Sequence, residues 1–445
     1  MIGLKQDLDM DISSLDLSNS IADATIDSLP DLTVTASLDS TVENTLDTEI
    51  RVDVWDSASI FGSPAIDQAL SLDVLPDHRV VIAGRTEGQL DAESSNDESS
   101  SRLSDGFVAL MSASGDIDWV TQIGSSAVDQ FLDVIYHPQG IIIAGGLSTG
   151  DLPEQENALF IDGLIVALNT EGSIIWQTLI NIGTINRLIA TEDGFIVVGS
   201  HEVENEDYAA FVAKYDLDGE REWFKSLNSP SYDSATSITL KQNRIFVSGF
   251  TSGSIINSIE KEDINMFVAA FSSKGESLWL KEYGGEGDDS PIRIAHDQES
   301  LIIAGYTSGL LGTQHYGDRD VAILKLDFDG ELIWQKQFGT QGNEAAYSLS
   351  ITPENNIFVG GRIDGASWNE QANLGGDAFV LKLTATGEVV HAVQFHREGR
   401  DEIVDLMYKH DRLTLAGYAA SSTQLETDQS DIFVHRISAT EGFDQ

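Results

Sequence analysis

The chain has 445 residues, with 73 Asp and Glu against 25 Lys and Arg, a formal net charge of −48, and no cysteine. That field repels phosphates and anionic membranes, which argues against nucleic acid as a partner and favours cations or basic groups. The missing thiols exclude disulfides, thiolate catalysis and sulfur-ligated metals.

In chain order, residues 1 to 48 alternate Asp, Ser, Leu and Thr, with no aromatic residue and no glycine after Gly3. So little apolar surface does not offset the entropy of ordering, and a flexible acidic leader is expected. Its start, MIGLKQDLDMDISS, lacks the apolar stretch of a secretory signal, and no later run approaches the ~18 apolar residues of a membrane span. From residue 49 to 445 the chain repeats, as a domain too long for one ordinary core must. Trp55, Trp119, Trp176, Trp223, Trp279 and Trp334, then His391, recur at intervals of 64, 57, 47, 56, 55 and 57 residues.

Each interval holds four segments. Segment A opens on an acid and alternates, as in DQFLDVIYH (129–137) and DSATSITLK (233–241). Segment B is an apolar run ending in glycine: VVIAG, IIIAG, FIVVG, IFVSG, LIIAG, IFVGG and LTLAG. Segment C reads DGFVALM (105–111) or DGLIVALN (162–169), and segment D surrounds the Trp, as in GELIWQKQFG (330–339). Short runs rich in Val, Ile and Phe between Gly, Asp, Ser and Asn are strand signals, and apolar helical spacing is nowhere sustained for three turns.

Seven such units predict an all-β, seven-bladed β-propeller of antiparallel four-strand blades, which leaves only short edges to protect. The repeat opens with a lone D segment at Glu49–Ile60 and ends on a C segment at Ile437. The N-terminal strand should therefore join the last blade and close the ring as a monomer, with the tryptophans packed between blades.

The unit DVAILKLDFDGELIWQKQFG (320–339), followed by a loop, a strand and IFVGG, resembles the SBBP repeats of bacterial surface proteins. The loop GGEGDD (284–289) followed by LIIAGYTSG (301–309) is similar in the same way. The resemblance spans about residues 50–440 and departs in the third unit, whose D-to-A loop is short. It implies a propeller in a secreted or envelope-associated protein with a binding or scaffolding role, and it supplies no catalytic residues. An extracellular or cell-envelope location follows, with the cytoplasm as the alternative.

Most chemical motifs dissolve into the repeat. Gly146, Ser148 and Gly150 spell a nucleophile elbow without the helix that motif requires. Asp216, Asp218 and Gly219, like Asp327, Asp329 and Gly330, imitate half a calcium loop but lack a glutamate at the twelfth place, and read as hairpin turns. What remains is the acid opening segment A: Asp67, Asp129, Asp233, Asp289, Glu344 and Asp401, with Asn186 in the short unit. In a ring these side chains approach one mouth of the channel. They cap local amides, or they form a site for a basic ligand or a cation, Ca2+ being the candidate. No catalytic residue and no other cofactor is expected.

The B-to-C loops vary most, at Glu87–Ser104, Ser148–Ile161 and Gly365–Gly375, and share a face with the D-to-A loops. Function concentrates on variable loops carried by a rigid scaffold, which makes Trp368, His315 and Tyr316 the aromatic candidates there. The expected role is a non-enzymatic module that engages a protein or glycan without inserting into a membrane. A propeller lyase or hydrolase with its site at the channel mouth is one alternative. An intracellular assembly scaffold is the other.

Overall fold

The computed structural model describes residues 50–53, 58–90, 103–152, 155, 161–203, 207–257, 259–364, 376–395, 400–420 and 430–438. The leader expected at 1–48, together with Trp55 and Trp368, lies outside these residues. The strands form seven antiparallel sheets, each ordered A, B, C, D. The A strands are Asp67–Val74, Asp129–His137, Thr184–Ala190, Asp233–Lys241, Asp289–His296, Asn343–Ile351 and Asp401–Lys409. Each lies against the A strand of the next blade, and the seventh against the first, so together they wall the axis. The predicted seven-bladed propeller is the observed fold. Strands B and C are covered on both faces by neighbouring blades, which is why Val80–Thr86 and Asp105–Met111 are buried almost throughout.

A repeated bulge sets the inner wall. The A–B register shifts at the same place in all seven blades, between Ala69 and Ser71 in the first and between Ile403 and Asp405 in the last. The bulge pushes an A-strand carbonyl into the glycine of strand B. A Cβ on Gly84 would stand 1.9 Å from Gln68 O, and one on Gly417 would stand 1.8 Å from Glu402 O. The glycine at this register in all seven blades, Gly146 and not Gly145 in the second, is thus demanded by close backbone approach.

The tryptophans lock one blade to the next. Trp119, Trp176 and Trp279 donate their Nε1–H to Thr170 O (3.0 Å), Leu217 O (2.9 Å) and Phe328 O (3.1 Å), each in the C–D turn of the following blade. The glycine of that turn, at φ +84° for Gly172 and Gly219 and +79° for Gly330, lies against the indole face. Blade seven has no C–D turn, because its outer strand comes from the other end of the chain. His391, in blade six, therefore has no such turn to meet.

The ring closes through the N-terminus by a shorter strand than expected. Among the described residues of this segment, Ser59–Phe61 joins blade seven, antiparallel to Ile432–Val434. Ile50–Asp53 instead runs parallel to Ala392–Phe395 as a fifth strand on blade six. The single strand expected over Glu49–Ile60 is therefore divided. D strands of all blades run in one sense, so a segment about to become the D strand of blade seven passes that of blade six in parallel.

Candidate functional site

The six strand-opening carboxylates are at most 1% exposed. Each sits at a joint between blades. The backbone amides of Asp129, Glu344 and Asp401 donate to Ser104 O (2.9 Å), Arg319 O (2.9 Å) and Gly376 O (3.2 Å) in the preceding blade. In five of the six the carboxylate also accepts the amide four residues back, in the D–A loop. Ser63 donates to Asp67, Ser125 to Asp129, Ser229 to Asp233 (2.5 Å), Gly285 to Asp289 (2.7 Å) and Thr340 to Glu344 (2.8 Å). Thr86 Oγ1, on strand B, donates to the second oxygen of Asp67. This is the geometry of a cap that holds the D–A loop closed.

Asn186 does not belong to this set. The register pairs Ile185 with Gly199 as it pairs Phe131 with Gly146, so the acid's place in blade three falls to Gly183. The short D–A loop displaces the sequence alignment, and Asn186 is the bulged residue, donating to Ala235 O (2.8 Å) and Ser234 Oγ (3.0 Å).

Burial raises the carboxyl pKa at several joints, and a second carboxylate from the preceding blade adds to it. Asp233 is pushed up to about 6 by burial, with Asp207 nearby, and Glu344 to about 7 by burial, with Asp320 and Asp364 nearby. Asp129 and Asp289 move in the same direction for the same reason. Gly339 marks the crowding: a Cβ there would stand 2.0 Å from Asp320 Oδ1 and 2.9 Å from Glu344 Oε2. Among the described residues, no three His, Asp or Glu side chains are arranged to hold a metal ion.

On the loop face, His315 and Tyr316 gather at Asp320, which opens strand C of blade five. The side chain of His315 is 39% exposed with Nε2 4.0 Å from Asp320 Oδ2, and the Tyr316 amide donates to that same oxygen (2.8 Å). Tyr316 is half-buried, and its hydroxyl pKa is raised by burial and by Asp320.

The axis holds a polar belt that sequence reasoning missed. The first residue after the bulge in each blade is Ser71, Asp133, Arg187, Ser237, Arg293, Ser348 or Asp405. Arg187 Nη1 donates to Asp133 in blade two, to Ser71 Oγ (3.1 Å) in blade one and to Asp405 Oδ2 (3.4 Å) in blade seven. Arg293 Nη2 donates to Val404 O (3.3 Å) in blade seven, and its Nε lies 3.9 Å from Asp405 Oδ1. The same side chains accept amides from the next A strand: Leu188 N–H to Asp133 (2.6 Å), Leu72 to Asp405 (3.3 Å) and Ile294 to Ser237 (3.2 Å). The amides of inner edge strands have no fifth strand to pair with, and the belt supplies acceptors for them. The signal was present, since six of the seven belt residues follow a strand-opening acid by four places.

No family model matches the chain, and no curated protein matches it. Among solved structures it is similar to the WD40 β-propeller domain of Doa1, with TM-score 0.48, 11% identity, and 85% of this chain and 97% of that one covered. It is likewise similar to the polysaccharide lyase Uly1, with TM-score 0.48, 12% identity and coverage of 90% and 94%. The extracellular domains 1–2 of Drosophila Semaphorin 1b align with TM-score 0.48, 9% identity and coverage of 86% and 87%.

Proposed function

We propose that this propeller is a non-enzymatic binding scaffold of a bacterial surface or secreted protein, engaging a protein or glycan through its B–C and D–A loop face. One contrast supports the reading. The A–B connections have two to five residues in every blade, whereas the B–C connections range from four residues after Ser254 to eighteen after Thr86. Capped joints hold the ring in one geometry while one face varies, as in scaffolds that recognise through loops. The SBBP-like repeats point the same way, and the net charge of −48 favours partners with basic surfaces.

The test is a His315→Ala/Tyr316→Ala variant and a second variant in the A–B turns, both screened on a glycan array and a basic-peptide array. Loss of a parental hit in the first variant alone is expected. Loss confined to the A–B variant would overturn the proposal. A calcium-linked form of the reading requires a higher melting temperature in millimolar calcium, because a ligand bound only to the folded state stabilises it. The caps described above call for no cation.

A further inference from the structure

The inner strands are polarised along the axis. Their D–A ends carry buried acids, whereas at the opposite ends stand Lys241, His296, Ile351 and Lys409, the last A-strand residues of blades four to seven. These four, with the A–B turns that follow them, line a cavity of about 370 Å³. That volume lies in the range of small-molecule sites, roughly 300 to 1,000 Å³.

Its charge is inverted relative to the chain. Two Lys and two His, His296 and His410, face a single carboxylate, Asp297, in a protein with 73 acids and 25 Lys and Arg. Asp297 is already answered from behind. Its Oδ2 accepts Lys325 Nζ (2.8 Å) and its Oδ1 accepts the amides of Glu299 (2.8 Å) and Ser300 (2.7 Å). The cations are not answered to the same degree. Lys409 leans on Asp73 Oδ1 (3.3 Å) and the Val74 carbonyl, while Lys241 makes no side-chain hydrogen bond or ion pair among the described residues. His296 Nδ1 lies 2.9 Å from Asp297 O, so that nitrogen carries a proton, and Nε2 donates to an anion when the ring takes up its second proton. His410 is exposed at the rim, its ring 4.5 Å from that of His78.

We propose that this cavity binds a small oxyanion carrying two or more phosphate or carboxylate groups, held by Lys241, His296 and His410. Of the charged side chains that line the cavity all but Asp297 are basic, and the acids at its rim are Glu354 and Asp411, the latter held by the Tyr408 hydroxyl (3.0 Å). The site is separate from the loop face, so it stands or falls independently of the scaffold reading.

The test is calorimetric titration of the full chain with tripolyphosphate and, separately, with citrate. One saturable site for either probe is expected, tripolyphosphate alone indicating a phosphate ligand and citrate alone a polycarboxylate. Lys241→Gln/His296→Gln should weaken binding at least tenfold, whereas Lys336→Gln on the outer strand of blade five should leave it unchanged. Should the double variant melt early, the imidazole resonance of His296 in the parent protein, followed during the titration, decides the matter. No saturation with either probe, undiminished binding in a folded double variant, or an unmoved His296 resonance would overturn the proposal.

Discussion

A buried carboxylate that accepts an amide from its own loop trades hydration for one directed bond, and the exchange leaves the ionised form costly. Glu344, raised to about 7, keeps a proton in the folded chain that the unfolded chain has lost above ~4.3. The native state therefore binds more protons between these values, and stability falls as pH rises through them. Asp233, at about 6, acts with the same sign. The protein should melt at a higher temperature at about pH 5 than at about pH 8, and Glu344→Gln should narrow the difference. Equal melting temperatures for the parent at the two values would contradict this account. The acids were legible in the sequence because they recur; their burial was not. A repeated Asp at a strand start looks the same whether it faces a mouth or a joint, and only the amide four residues back distinguishes the two.

Strands were legible for a related reason. Each B and C run is covered on both faces, so it is apolar throughout and stands out from its polar turns. The glycines between runs were legible as punctuation, but their two causes were not. Those of strand B yield to a bulge carbonyl, and those of the C–D turns at Gly172, Gly219, Gly275, Gly330 and Gly387 yield to an indole. Gly330 and Gly140 separate the effects. Both have positive φ, +79° and +85°, but a Cβ on Gly330 meets Trp279 and Lys281 at 3.0 Å, whereas one on Gly140 meets nothing within 4 Å. Gly140→Ala should cost about 1 kcal/mol from backbone strain, and Gly330→Ala about 2 to 3 kcal/mol, read by chemical denaturation. Equal losses would show that the indole yields freely. The divided N-terminal strand escaped the sequence because a single D-like segment carries no sign of which blade it will join.

At the scale of the ring, closure rests on Ser59–Phe61, three residues that join blade seven. Among the described residues, deleting 1–53 removes the fifth strand of blade six and no part of blade seven, and should leave a monomer. Deleting 1–61 exposes the edge of Ser430–Ser438 and should give oligomers by size-exclusion chromatography together with a lower melting temperature. If both truncations stayed monomeric and melted alike, closure by this strand would be refuted. The axial belt bears on a different question, how a chain of similar units settles on its number. Seven near-equivalent blades could in principle stack into a ring of six or eight, or trade a blade with a neighbouring molecule. Arg187 of blade three reaches Asp405 of blade seven, and Arg293 of blade five approaches the same carboxylate from the other side. A ring with one blade more or fewer would part these charges and leave them largely buried without their partners, which is costly for an ion. The axis thus keeps count, and the irregular residues at its centre tell a nearly symmetric chain when it is complete.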